Sequence, residues 1–255
     1  MNLAFDIPIA GSYKSASQIA RILTENWVQH NIYCPSCGND NLNAFPNNTP
    51  VSDFYCLKCK SEYELKSKKD SISLKIVNGA YNSMIEKINT NNNPHFFFLN
   101  YSSSSYQVIN FFVIPKHYFI FDVIEKRKPL SHKAKRSGWT GCNILLQNIP
   151  NSGRIFFIKN GKVEDREAVL ENWRRTSFLS KQKPDKRSWT IEVMKVIEDV
   201  PTQNFTLKEV YQAESFFKKI FPENNFIKDK IRQQLQILRD KGIIEFKGNG
   251  NYYKI

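Results

Sequence analysis

Residues 52–69 read SDFYCLKCKSEYELKSKK, and two kinds of site chemistry share these eighteen positions. Asp53, Glu64 and Lys66 form an acid–acid–base set, while Cys56 and Cys59 form a Cys-x-x-Cys pair between the aspartate and the glutamate. In EYELK, strand periodicity puts Glu62, Glu64 and Lys66 on one face and Tyr63 and Leu65 on the other. One face is charged, and the other is fit to pack on a core. Asp53 closes a short extended segment, TPVSDF, eleven residues upstream of Glu64. A hairpin returning from Asp53 would set the two strands side by side, with the cysteine pair in the turn.

Two carboxylates and a lysine converging in this way suit metal-assisted phosphodiester hydrolysis. Asp53 and Glu64 are expected to hold Mg²⁺ through hard oxygen ligands. The ion would polarise the phosphate and lower the pKa of a bound water, and Lys66 would orient that water and offset developing charge. A bare Glu-x-Lys is more often a solvated strand face with weak ion pairs, and Glu245-Phe-Lys247 repeats the pattern near the C-terminus. The upstream aspartate and the cysteines distinguish the first copy from the second.

The cysteines extend the pattern to Cys34-x2-Cys37-x18-Cys56-x2-Cys59. Two knuckles 15–20 residues apart have zinc-ribbon spacing, and Pro35 and Gly38 supply turn residues for the first. Four sulfur ligands leave no open position, so a structural Zn²⁺ is expected. Zinc bound there would pin the Asp53–Glu64 hairpin in register and brace a magnesium site beside it. Cys142 stands alone and reads as a small core residue.

The 255 residues carry a net charge of +13 with a pI near 9.4, 41% hydrophobic and 13% aromatic. That composition indicates a folded protein with a polyanionic partner, nucleic acid before membrane surface. No apolar run approaches the ~20 residues of a spanning helix. The N-terminus lacks the basic and long apolar regions of a signal peptide, so a cytoplasmic, intracellular location is expected, where disulfides are disfavoured.

Around the hairpin, residues 15–30 read as an amphipathic helix with Ser15 as N-cap and Ile19, Leu23 and Trp27 in its apolar stripe. Glu25 lies off the stripe, where it could approach the metal site, though a solvent-facing side chain is the preferred reading. NGAYNSMIEKINT (78–90) reads as a second helix, and HFFFLNY, QVINFFVIP and RIFFIKNG as buried strands. Together these predict a mixed α/β core. Between the last two strands runs a basic loop with Lys126, Arg127, Lys128, Lys133, Lys135 and Arg136 and no acid, suited to DNA phosphates. Trp139 follows on a stretch that reads as flexible.

A polar, basic linker is expected over 174–187. Beyond it, 188–200, 207–221 and 227–240 read as three helices, and IIEFKGNGNYYKI as two strands around a turn: a winged helix. The third helix buries Ile227, Ile231, Leu235 and Leu238 and exposes Lys228, Asp229, Lys230, Arg232, Gln233 and Gln236 as candidate DNA contacts. His30, His95, His117 and His132 show no metal-ligand spacing and take no catalytic role.

These residues resemble the PD-(D/E)xK nuclease superfamily, with Ser52-Asp53 in place of the usual Pro-Asp. Over essentially the whole chain, through YCPSCGN, SDFYCLKCKSEYELKSKK, NPHFFFL, GWTGCNI and KIRQQLQILRDKGIIEFKGNGNYYKI, the sequence is similar to DpnI-like methyl-directed restriction endonucleases. The resemblance implies a restriction-endonuclease-like mixed-sheet domain over 1–180 with an embedded zinc ribbon (34–59), and a winged-helix DNA-binding domain over 188–255. It implies Asp53, Glu64 and Lys66 as catalytic, the main-chain oxygen of Leu65 as a further Mg²⁺ ligand, and Cys34, Cys37, Cys56 and Cys59 as Zn²⁺ ligands. The implied substrate is double-stranded DNA with N6-methylated adenine in GATC, cut to leave 5′-phosphates. Trp139 would pack against the methyl groups, and glutamine and arginine of the third helix would read adenine and guanine. With one site per chain, a monomer cuts twice or pairs transiently on DNA. Two alternatives stay open: a non-catalytic zinc-ribbon and winged-helix regulator, and a nuclease of the same fold with another site or no methyl dependence.

Overall fold

The computed structural model describes residues 1–46, 52–71 and 73–255. Helix α1 (Ala16–Asn31) precedes a run of strands: β1 (Asn43–Ala44), β2 (Phe54–Tyr55), β3 (Glu62–Lys69) and β4 (Lys75–Ala80). Helix α2 (Tyr81–Asn89) leads to β5 (His95–Tyr101), β6 (Val108–Ile114), β7 (Ile124–Lys126), β8 (Gly141–Leu145), β9 (Ile155–Lys159), β10 (Lys162–Val163) and helix α3 (Arg166–Thr176). The C-terminal part comprises α4 (Pro184–Asp199), β11 (Asn204–Thr206), α5 (Leu207–Tyr211), α6 (Glu214–Ile220), α7 (Ile227–Asp240), β12 (Ile244–Gly248) and β13 (Asn251–Lys254).

The main sheet is mixed, ordered β1-β2-β3-β5-β6-β9-β10, with β3 and β5 parallel and the other neighbours antiparallel. All seven residues of β5 are buried, as its unbroken apolar run requires of a strand covered on both sides. Phe97 and Leu99 pack with Leu23, Trp27 and Val28 of α1 and with Val169 and Trp173 of α3. Phe96 and Phe98 face the opposite layer, where Met84 and Ile88 of α2 and Cys142 and Ile144 of β8 pack. The parallel register pairs Glu64 with Phe96 and Lys66 with Phe98. The charged face of β3 therefore looks toward α2 and the small sheet β4-β8-β7, while Tyr63 and Leu65 pack toward α1, as the alternation predicts.

Several expectations need correction. The helix read over 78–90 begins only at Tyr81, because Lys75–Ala80 pairs with β8 as a strand. Most of the supposed linker is helical: α3 runs to Thr176, a 3-10 turn covers Ser177–Lys181, and α4 starts at Pro184, where proline loses no helical hydrogen bond. The second helix of the C-terminal part is broken into α5 and α6 at Gln212–Ala213. Ser15 occupies the N-cap position of α1, but its hydroxyl bonds Ser17 Oγ and caps nothing. Within the segment TPVSDF, residues 49–51 lie outside the described residues.

The C-terminal part is a winged helix. Thr206 and Glu209 form a reciprocal capping box on α5, Gly242 closes α7 at φ +67°, and β12 and β13 form the wing in a sheet ordered β11-β13-β12. Its core is continuous with the opposite layer of the main sheet, from Phe112 and Ile114 through Tyr118 to Trp189, Ile197 and Leu238. The whole is a mixed α/β fold. No helix among the described residues is long and apolar enough to cross a membrane.

Candidate active site and metal centres

Strands β2 and β3 pair Phe54 with Tyr63 and Tyr55 with Glu62, and Cys56–Ser61 makes the turn between them. Lys60 takes φ +60° there. Asp53 is locked into this hairpin through its backbone: its N–H donates to Tyr63 O at 2.9 Å, and its C=O accepts from Phe45 N–H at 2.9 Å. Its side chain reaches β3, where Oδ2 accepts the Leu65 N–H at 2.6 Å. Glu64 Oε1 lies 2.5 Å from Lys66 Nζ. Asp53, Glu64, Leu65 and Lys66 together line a cleft of about 610 Å³, closed on one side by α1 and on the other by Asn78–Ala80, Ser83 and Met84.

The competing Glu245–Lys247 pair has a similar 2.7 Å contact, but its side chains are 52% and 48% exposed, against 24% and 23% for Glu64 and Lys66. It lies in the wing strand β12. Environment separates the two copies; their local geometry does not.

Ser52, where the superfamily favours proline, is buried and donates from Oγ to Glu62 Oε2 at 3.0 Å. Glu62 is thus engaged by Ser52, and Glu64 is the carboxylate of β3 that lines the cleft.

The reading of Glu25 as solvent-facing also changes. It lines the same cleft, with Arg21 3.7 Å away. Burial raises its pKa, Arg21 lowers it and the nearby Asp53 raises it again. Among the described residues the three carboxylates do not gather as a tight metal-ligating group. A divalent ion here would therefore rest on Asp53 Oδ1, Glu64 and main-chain oxygen, a hard donor set that fits Mg²⁺.

Cys34, Cys37, Cys56 and Cys59 do gather: their sulfurs lie within 4.8 Å of one another. Cys34 to Cys59 is 3.5 Å and Cys37 to Cys56 is 3.6 Å. A tetrahedron with Zn–S bonds of about 2.3 Å requires sulfurs roughly 3.8 Å apart, so the cluster can bind zinc. Burial pushes the Cys34 and Cys37 thiols up. At Cys59 burial is outweighed by hydrogen bonds, chiefly with Ser61, and the thiol falls to about 6. The fully buried Tyr63 places its hydroxyl 3.1 Å from Cys34 Sγ. Tyr63 immediately precedes Glu64, so one residue of β3 ties the cysteine cluster to the acidic cleft.

The basic segment is not a loose loop. Arg127 N–H bonds Gly141 O, Leu130 N–H bonds Trp139 O and Gly138 N–H bonds Leu130 O, all at 2.9–3.1 Å, so it is a hairpin extension of β7 and β8. Trp139 is half-buried, with Arg136 5.2 Å from its ring centroid. Its ring packs so closely on Gly141 that a Cβ there would lie 2.9 Å from it. Lys126 pairs in register with Cys142, which pairs with Asn78 on the cleft wall. Two strand spacings, about 10 Å, thus separate the root of the hairpin from the cleft. Lys128, Lys133, Lys135 and Arg136 are exposed beyond it.

On α7, Lys228, Asp229, Arg232, Gln233 and Gln236 are exposed and Lys230 is half-buried. Lys228 pairs with Glu214 at 3.3 Å and Arg232 with Asp229 at 3.2 Å. Gln234, between two of these positions, is fully buried and accepts from Thr190 Oγ1 at 2.8 Å, a contact the helical phase did not reveal. His95 and His117 are buried, and burial holds both well below the usual histidine range, His117 at about 3. Of the remaining candidates, Cys142 is fully buried, as a core residue should be.

The fold and its clusters define a restriction-endonuclease-like α/β domain with a four-cysteine site and a C-terminal winged helix. Residues 1–182 match the family DpnI, described as the Dam-replacing family, and residues 185–254 match DpnI_C, the Dam-replacing HTH domain. The chain belongs to the Dam-replacing, DpnI-type family. Its two matches point to a restriction endonuclease that binds DNA.

Proposed function

We propose that the protein is a Mg²⁺-dependent endonuclease that cuts double-stranded DNA at GATC sites whose adenine carries an N6-methyl group. The observation that carries the reading is the convergence of Asp53, Glu64 and Lys66 in one cleft, with Asp53 fixed by the Leu65 amide. Asp53, Glu64 and the Leu65 carbonyl would hold Mg²⁺, which when bound would polarise the phosphate and make a water more acidic. Lys66 holds its ammonium over Glu64 and is placed to orient the attacking water and offset charge on the phosphate. In-line attack then leaves a 3′-hydroxyl and a 5′-phosphate. Zn²⁺ in the four cysteines holds the hairpin and takes no part in the chemistry.

Residues 1–180 form the nuclease unit in this reading, and 188–255 a second DNA-reading unit. Lys126, Arg127, Lys128, Lys133, Lys135 and Arg136 hold phosphates, Trp139 offers an apolar edge to the methyl groups, and Arg232, Gln233 and Gln236 face bases between Lys228, Asp229 and Lys230. A monomer cuts the two strands in succession or pairs transiently. The support is family membership together with the apolar half-exposed ring beside a basic hairpin.

The test is Asp53→Ala. Cleavage of adenine-methylated plasmid should fall by roughly 10³-fold or more, as for loss of a metal ligand, while a gel shift with the same DNA persists. Wild-type protein that retards DNA but never cuts it would instead favour a regulator.

A further inference from the structure

A second cleft of about 580 Å³ lies between the turn at residues 120–122 and the winged helix. Asp122, Asp185, Glu192 and Glu223 line it, and no lysine, arginine or histidine does. Among the described residues none of these four acids forms an ion pair. Lys195 acts on Glu192 electrostatically but does not line the cleft.

Glu192 is the sharper observation. It is fully buried, and neither carboxylate oxygen has a hydrogen-bond partner. A buried carboxylate without partners is costly unless a cation reaches it. The aromatic lining is the second part of the site: Phe121 is half-exposed, and Phe221, partly buried, stacks on the buried Trp189 with centroids 3.9 Å apart. Aromatic faces attract ammonium groups and cover methylenes. Among the described residues no three of these carboxylates gather closely enough to share one metal ion.

We propose that this cleft binds an aliphatic polyamine, its ammonium groups meeting Asp122, Asp185, Glu192 and Glu223 and its methylenes lying over Phe121 and Phe221. The ligand would bridge the 120–122 turn and α4, and so join the two parts of the chain.

The test is calorimetric titration of the full-length protein with spermidine, with Mg²⁺ in excess to occupy the other acidic cleft. Saturable one-site binding is expected. Asp185 and Glu223 are exposed, so the double variant Asp185→Asn/Glu223→Gln keeps its fold, checked by circular dichroism, and should bind at least tenfold more weakly. Glu192→Gln should weaken binding as well. Unchanged affinity in the double variant, no saturable binding by wild type, or loss of binding only in Asp53→Asn/Glu64→Gln would each overturn the assignment.

Discussion

Asp53 shows how a single residue becomes a candidate ligand by losing freedom. Its amide and carbonyl are used by neighbouring backbone and one carboxylate oxygen by Leu65, in a side chain that lines the cleft. Glu192 is the opposite case, a buried acid whose carboxylate oxygens have no hydrogen-bond partner within the protein. Burial raises its pKa to about 7, Lys195 lowering and Asp122 raising it further. The folded state therefore holds this proton more tightly than the unfolded chain. The stability it lends is complete below about 4.5 and disappears as pH climbs through 7. Glu192→Gln should unfold in urea like wild type at pH 5 but be more stable at pH 8, by about 2–3 kcal/mol. An equal difference at both pH values would show that Glu192 is not protonated in the fold. At this scale the sequence made Asp53, Glu64 and Lys66 legible because strand alternation forces side chains to one face. Glu25 was legible only as the less favoured of two readings: helical phase tells how far a residue lies from the apolar stripe, not what stands opposite its polar face.

At the scale of elements, the β2–β3 hairpin couples the two candidate metal centres. Tyr63 touches Cys34 on one side and is bonded through its backbone to Asp53 on the other. Zinc removal should therefore lower both stability and cleavage. A zinc chelator, with Mg²⁺ kept in excess, should reduce the melting temperature by several degrees and abolish cutting, as structural zinc contributes folding energy directly. Cys56→Ser should do the same without chelator. Retained activity in a zinc-free protein would separate the cysteines from the cleft. The cysteine spacing announced this cluster, because tetrahedral geometry permits few spacings. Strand β4 was obscured by its composition: Lys75–Ala80 is only half-buried, ends in Gly79-Ala80 and runs straight into a helix. Its pairing with β8 is settled by sixty intervening residues, roughly, and no local pattern encodes so distant a partner.

At the scale of the whole molecule, the expected linker proved to be a packed junction. Glu198 of α4, half-buried and with its pKa raised chiefly by that burial, accepts the backbone N–H groups of Asn151 and Ser152. Arg187, which is buried, donates to Asn91 Oδ1 at 3.2 Å. Composition could not reveal this, since Arg, Lys and Asp in a polar run look alike whether they are solvated or bridge two parts of a chain. Glu198→Ala orphans two amides and should cost about 1–3 kcal/mol. Scanning calorimetry should then resolve two unfolding steps where wild type shows one; a single unshifted transition would deny the junction its role.

The central claim is that the cleft cuts DNA and that the methyl group licenses the cut. One plasmid, prepared with and without N6-methylation of adenine at GATC, should be incubated with the purified protein and Mg²⁺ at low salt. A GATC fragment ladder from the methylated plasmid alone is the predicted result. Equal cutting of both plasmids would contradict the methyl requirement, and retarded but intact DNA in both would contradict the nuclease itself.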